Sequence, residues 1–298
     1  MEPILSLLAE GKRLVADGAI GSLLMERTGD LIKGSCPEAL NLKRPELLTE
    51  IANLYLDAGA QIIQTNTFGG SPLKLADSGL DSKMEAINEA AVTAVKKVTG
   101  DRAYVLASCG PSGKLLKPFG KVSQEEMFEN FIRQITVLID AGADMICMET
   151  MTDLEEAKIA VRAAREISSS IPVAASMTFD AKPRGFFTMM GANIERSARE
   201  LKGAGADIVG SNCGSGIEMM ILIAREFRQH TSLPLIIQSN AGLPVKGTEG
   251  LVYPETPEFM AEKSRELIEA GVSIIGGCCG TTPEHIRQIA RIVSARAG

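Results

Sequence analysis

The chain has no tryptophan, three tyrosines and two histidines, and no apolar run approaches the roughly 20 residues that span a bilayer. Each shortage removes a class of function. With only His230 and His285 present, a histidine-rich metal site or a Ser-His-Asp relay has almost no members to draw on. Basic residues never run longer than two, and the 298 residues carry a formal net charge of -6, so nothing concentrates positive charge against phosphate. Neither nucleic acid nor a membrane surface is an expected partner. The segment Met1 to Arg13 lacks the apolar centre of a signal peptide, which makes the cytoplasm the expected location.

What is present is an ordinary globular composition, 45% hydrophobic and 23% charged, arranged as short apolar runs alternating with longer amphipathic stretches. The strand-like runs are Arg13-Ala16, Gln61-Thr65, Ala103-Ser108, Met145-Met148, Pro172-Met177, Ile208-Ser211, Leu235-Ser239 and Ser273-Ile275. Helical spacing is found near 46–58, 83–98, 124–140, 153–168, 193–203, 215–229 and 257–269, and from Pro283 to the C-terminus. Ala58-Gly59-Ala60 recurs as Ala141-Gly142-Ala143, Ala204-Gly205-Ala206 and Ala270-Gly271-Val272, each between a helix and an apolar run, where glycine ends a helix in the left-handed conformation. Eight βα units with no Pro/Gly/Ser-rich linker predict a single α/β domain over 1–298, a TIM (β/α)8 barrel, with a doubly wound open sheet as the other arrangement of such units. Neither Gly110-Pro-Ser-Gly-Lys114 nor Gly276-Gly277 has the spacing of a nucleotide loop.

In a barrel, chemistry collects where strands end. Those positions here are polar: Asp17-Gly18-Ala19, Asn66-Thr67-Phe68-Gly69, Cys109, Glu149-Thr150, Asn212-Cys213, Asn240-Ala241-Gly242 and Gly276-Gly277-Cys278-Cys279-Gly280. Cys213, Cys278 and Cys279 fall past strands six and eight on one rim, where three thiolates can hold zinc and leave a fourth position open. Neighbouring cysteines do not readily form a relaxed disulfide with each other, and the flanking glycines permit the bend that turns both toward one ion. Cys36, Cys109 and Cys147 are expected to be small packing residues, Cys109 with the qualification that it stands at a strand end. A zinc ion with three thiolates is a poor activator of water, yet a fourth thiol that binds it loses its proton and stays nucleophilic, which suits alkyl transfer to a thiol.

Asp17-Gly18-Ala19-Ile20-Gly21, Gln64-Thr65-Asn66-Thr67-Phe68-Gly69, Glu149-Thr150, Asn212-Cys213 and Gly276-Gly277-Cys278-Cys279-Gly280-Thr281-Thr282-Pro283 resemble, in order and position, the homocysteine S-methyltransferase family. The resemblance spans essentially the whole chain. It implies a TIM barrel, a zinc ion held by Cys213, Cys278 and Cys279, and homocysteine as the acceptor that becomes methionine. It also makes Asn240 an exchangeable ligand or a group beside the metal, unless it serves only as a turn residue. Glu149 and Asp17 would hold the substrate ammonium, or else satisfy loop amides; backbone amides around Gly18-Ala19 and Thr67-Phe68 would receive its carboxylate.

The donor is read from less. A cationic sulfonium or betaine is commonly held against aromatic faces, and the aromatic content is low, although Phe68, Phe179, Phe186, Phe187 and Tyr253 offer a partial cage. The Gly280-Thr281 continuation looks more like the homocysteine module of cobalamin-dependent methionine synthases than like the S-methylmethionine enzymes, in which an arginine is usual at that place. Methyl groups would then come from methylcobalamin or methyltetrahydrofolate through a separate corrinoid protein or further synthase modules, since 298 residues suffice for a barrel and nothing more. The alternatives are a direct S-methylmethionine or betaine donor and, in another class, a non-catalytic zinc or thiol redox sensor.

Overall fold

The structure, a computed structural model, describes residues 1–29, 36–246 and 251–295. Its strands are β1 (Leu14–Val15), β2 (Ile62–Gln64), β3 (Tyr104–Cys109), β4 (Met145–Met151), β5 (Val173–Met177), β6 (Ile208–Asn212), β7 (Leu235–Ser239) and β8 (Ile274–Gly277), paired in parallel in sequence order. Leu14 pairs with Ile274, and a bridge between Ala16 and Ile62 joins β1 to β2, so the sheet closes on itself. Around it run α1 (Pro45–Asp57), α2 (Met84–Thr99), α3 (Gln124–Asp140), α4 (Leu154–Ile167), α5 (Ile194–Ala204), α6 (Ile217–His230), α7 (Pro257–Glu269) and α8 (Pro283–Ala295). This is the TIM barrel expected from the alternation. No helix among the described residues is long and apolar enough to cross a membrane.

The outer helices form for local reasons that the sequence displays. In α3, Ser123 accepts from the Glu126 amide while the Glu126 side chain returns to the Ser123 amide, a capping box. Met127, Phe131, Ile135 and Leu138 then recur on one face and are fully buried against the sheet. The helix-ending glycines behave as read: Gly59 and Gly142 have φ of 96° and 98°, and Gly205 and Gly271 are likewise left-handed.

Two boundaries differ in a way that matters. β4 continues through Glu149 and Thr150 to Met151, and β6 takes in Asn212, where the polar residues suggested that the strands had already stopped. Glu149 and Thr150 fall where the β4–β5 register shifts between Met148 and Met151, and Asn212 holds both, donating from Nδ2 to Glu149 Oε2 at 3.3 Å and to Thr150 Oγ1 at 2.8 Å. The elements that periodicity did not reveal are too short to show it: helices Ile4–Ala9 and Ile20–Thr28, and the hairpins Asp180–Lys182/Gly185–Phe187 and Val245–Lys246/Leu251–Val252. The last three residues of the helix expected to reach the C-terminus lie outside the described residues.

Strand alternation sorts side chains into two cores. Outward residues such as Ile63, Val105, Ile146, Val209 and Ile237 pack under the helices. Inward residues Ile62, Leu106, Met145, Ala174, Ile208, Ile236 and Ile274 fill the lower barrel, and helix Ile4–Ala9 closes that end with Ile4 and Leu8. Two residues further along each strand, the same inward file becomes Gln64, Ser108, Ser176 and Gln238, with Glu149 on β4.

Candidate active site

The three cysteines on the rim converge. The Sγ atoms of Cys213, Cys278 and Cys279 all lie within 4.8 Å of one another, and the residues are partly exposed rather than sealed. A tetrahedral zinc with bonds of about 2.3 Å sets its sulfurs about 3.8 Å apart, so the separation suits one ion, and an all-thiolate donor set is of the soft kind that zinc accepts. Each thiol is placed by backbone. β6 ends in a left-handed turn, with Cys213 at φ 59° and Gly214 at φ 75°, and the Cys213 amide donates to Gln238 O at 3.2 Å. Cys278 N donates to Ser239 O at 2.7 Å, and Cys279 N donates to Asn240 Oδ1 at 3.1 Å. Asn240 thus supports the cysteine loop with its side-chain carbonyl. Thr281 locks the loop to β1, accepting from Ala19 N at 3.1 Å and donating to Cys278 O at 2.7 Å.

The protons within the cluster are unevenly held. Donation from Cys278 and Cys279 pulls the Cys213 thiol far below its usual value, while those two thiols are pushed up. Three sulfurs this close together could hold one metal ion.

Glu149 and Asp17 lie beside this cluster, buried and without an ion pair among the described residues. Glu149 Oε1 accepts from Gln64 Nε2 at 3.1 Å and from Ser108 Oγ, and Oε2 accepts from Asn212 Nδ2 at 3.3 Å. Asp17 Oδ2 accepts from the Gln64 amide at 2.8 Å; its Oδ1 is buried with no partner. Burial raises both carboxyls above the usual range, and the charge of Glu149 raises Asp17 further. Two desolvated carboxylates with a free acceptor oxygen form a place for a cation with several N–H donors. Asn212 Nδ2, 4.0 Å from Cys278 Sγ, connects this pair to the thiols.

Thr67 is tied into the floor, donating from Oγ1 to Ser108 O at 2.7 Å, while Phe68 is partly exposed with its ring over Gly110. Of the remaining aromatics proposed for a cage, Phe179 is buried edge-on to Phe227, so it packs the core instead. Cys109 and Cys147 are buried packing residues, the first outside the barrel wall and the second inside it. Cys36 is half-buried and packs against the cluster of Leu75, Met84 and Ile87, and in addition its thiol donates to Glu38 Oε2 at 3.1 Å; burial beside that carboxylate pushes it up to about 11.

Sequence reading assigned no role to Gln64, Gln238, Asn212 or Thr281, though three of them stand inside the quoted motifs. Gln238 Nε2 donates to Gln64 Oε1 at 3.0 Å, and Gln64 passes the chain on to Glu149. The available signal was parity: a polar residue two places from a strand-end residue points to the same side of the wall.

A family model described as homocysteine S-methyltransferase matches residues 14–293. The chain belongs to the homocysteine S-methyltransferase family. It is 33% identical over 306 residues to methionine synthase of Mycobacterium leprae, and 33% identical over 296 residues to that of Mycobacterium tuberculosis. Those matches take in 98% and 94% of this chain but 25% and 24% of the relatives, so the chain spans about a quarter of their length. The metallated form of the homocysteine methyltransferase MmuM from Escherichia coli shares the fold, with a TM-score of 0.81 at 24% identity, over 97% of this chain and 99% of that one.

Proposed function

We propose that residues 1–298 form one homocysteine-binding, zinc-dependent barrel that transfers a methyl group to the homocysteine thiol, giving methionine. The observation that carries this reading is the juxtaposition of the thiol cluster with two unpaired buried carboxylates, bridged by Asn212 Nδ2. An amino acid with a side-chain thiol presents a cation at one end and a sulfur at the other, and this mouth offers a partner for each.

In the proposed complex, Asp17 Oδ1 and Glu149 take the substrate ammonium, with Gln64 holding both carboxylates in position. Ala19 N is engaged by Thr281 and Thr67 N by Thr65 O, so the amides left to receive the substrate carboxylate are those of Gly18 and Phe68. Cys213, Cys278 and Cys279 are the residues that would hold zinc, which when bound supplies the charge that lets a thiol at its open position ionise at neutral pH. Asn240 keeps the cysteine loop bent by accepting from the Cys279 amide, and is the group beside the thiols that would give way when substrate enters. The reaction needs reduced thiols, which places it in the cytoplasm.

Kinship to methionine synthases and the glycine at 280 support a corrinoid-borne methyl delivered by a separate protein or domain. The test is to give zinc-loaded protein and homocysteine either methylcobalamin, S-methylmethionine, S-adenosylmethionine or betaine, and to measure methionine. Product from methylcobalamin is the expected result. Product from betaine alone would overturn the donor, and no product from any of the four would overturn the methyl-transfer reading.

A further inference from the structure

The loops that follow β6, β7 and β8 share one neighbour. Gly216 comes after β6 and Cys213, Gly242 after β7 and Asn240, and Gly280 after β8 and the paired cysteines. A single stretch, residues 253–255, lies across all three. A Cβ built at Gly216 would stand 2.0 Å from Glu255 Oε1, and one at Gly280 would stand 2.0 Å from Tyr253 Cγ. One at Gly242 would stand 3.0 Å from Pro254 Cδ and 3.1 Å from Glu255 Cγ. Each loop has glycine where the stretch approaches.

Glu255 supplies the polar ties, one toward each loop. Its Oε2 accepts at 3.0 Å from the amide of Ile217, four residues past Cys213. Ile217 opens α6, whose N-cap Gly216 has no side chain to offer, so a carboxylate from a distant segment takes one of the amides that a helix start leaves unpaired. The Glu255 amide donates to Ala241 O at 2.9 Å, and the Ala241 amide donates in turn to Cys279 O at 3.0 Å. The Glu255 carbonyl is 3.0 Å from His285 Nε2. The Thr282 amide donates to His285 Nδ1 at 3.1 Å, so Nδ1 is the acceptor and the ring hydrogen is on Nε2, directed at Glu255 O. One neutral histidine thus joins Glu255 to the loop of Cys278 and Cys279.

We propose that Glu255 is a positioning residue of the thiol site: by tying together the loops that follow β6, β7 and β8, it sets the spacing of Cys213 against Cys278 and Cys279. This rests on the methyl-transfer reading only in taking the three thiols as ligands of one ion. The molecule contains its own control. Glu156 is buried and accepts from the Ser112 amide at 2.7 Å through Oε1, pinning the loop after β3, which contributes no thiol to the cluster. The two carboxylates grip backbone amides alike, and only Glu255 does so on loops that carry the clustered cysteines.

The experiment compares Glu255→Ala, Glu255→Gln and Glu156→Ala by two affinities. The first is for zinc, by competition with a chromophoric chelator. The second is that of the reduced, metal-free protein for phenylarsine oxide, which condenses with two neighbouring thiols, forming two S–As bonds and releasing water, and so reads sulfur spacing without zinc. Glu255→Ala is expected to weaken both about tenfold, the usual size of a lost support behind a metal ligand. Glu255→Gln, whose amide oxygen can still accept from Ile217, is expected to keep both. Glu156→Ala is expected to lower Tm and leave both affinities unchanged. Unchanged arsenical affinity in Glu255→Ala, or an equal loss in Glu156→Ala, overturns the proposal. If Glu255→Ala shows no cooperative melt, Glu255→Asp draws the acceptor back by one methylene and carries the same expectation. An unaltered protein that binds the arsenical and no zinc, with arsenical affinity still lost in Glu255→Ala, upholds the role of Glu255 and overturns the zinc site of the methyl-transfer reading.

Discussion

The two halves of the barrel interior are built from the same strands and obey opposite rules. At the lower end Ile62, Leu106, Met145, Ile208, Ile236 and Ile274 meet Ile4 and Leu8 of the closing helix, and the one hydroxyl in that cluster, on Tyr104, is satisfied by donating to Glu2 O. Two residues further along, the file is Gln64, Ser108, Ser176 and Gln238, with Glu149 four beyond Met145, and Asp17 Oδ1 and Gln238 Oε1 are left buried without partners. An apolar interior stabilises by burial alone. A polar interior costs free energy wherever a buried acceptor is unmet. The non-glycine residues with left-handed φ among those described, Thr150 and Cys213, are both in the polar half, where Asn212 holds the Thr150 amide at 2.7 Å. Stability is thus concentrated below and chemistry above.

The sharpest way to break this division is Cys278→Ser. We expect metal content to fall from about one zinc per chain to near zero, and methyl transfer to fall by more than about 10³-fold, with the fold retained by circular dichroism. Retention of zinc and activity would show that the thiols are not the metal site. Next in size is Glu149→Gln, expected to lower kcat/KM for homocysteine by about 10²-fold, the usual cost of one lost charge-assisted contact, mainly through KM.

The same substitution has a stability readout of definite sign. Glu149 and Asp17 are raised in the folded chain by burial, so the folded state holds their protons where the unfolded state, near pH 4, releases them. Stability is therefore lost as pH rises from about 4 through the folded values, the reverse of a salt-bridged carboxylate. Glu149→Gln should flatten that slope in urea titrations at a series of pH values. An unchanged slope would mean that the pair is already compensated in the free protein.

Much of this was legible in sequence because two independent periodicities coincide. Eight apolar runs and eight amphipathic stretches gave the barrel, and the glycine before each of four strands marked its lower face. The cysteines were legible because GGCC can bend and because polar residues at strand ends are rare without a reason. What stayed hidden depends on parity and on contacts distant in sequence. Gln238 lies inside an apolar strand, and only closure of the barrel brings it against Gln64, 174 residues away. Cys36 packs as read, but its hydrogen bond to Glu38 stayed hidden because nothing local marks a thiol that also meets a carboxylate. Tyr253 could be named only as one aromatic among several, since its closeness to Gly280 joins residues 27 apart that share no periodic signature.

The lower half supplies the smaller tests, and their value is that catalysis should not notice them. Ile4→Ala removes a buried plug residue and should cost about 2 kcal/mol in urea unfolding, near the low end for such truncations because a short helix can settle into the space. Gly142→Ala is smaller still. A Cβ there meets only Lys96 Cε at 4.0 Å, so nothing is crowded and the cost is that of holding alanine at φ 98°, about 1 kcal/mol. Both variants should keep the kcat and the homocysteine KM of the unaltered protein. A change in KM from Gly142→Ala would mean that the lower turns transmit strain to the mouth, and the separation of a stabilising floor from a reactive rim would then fail at its least perturbing point.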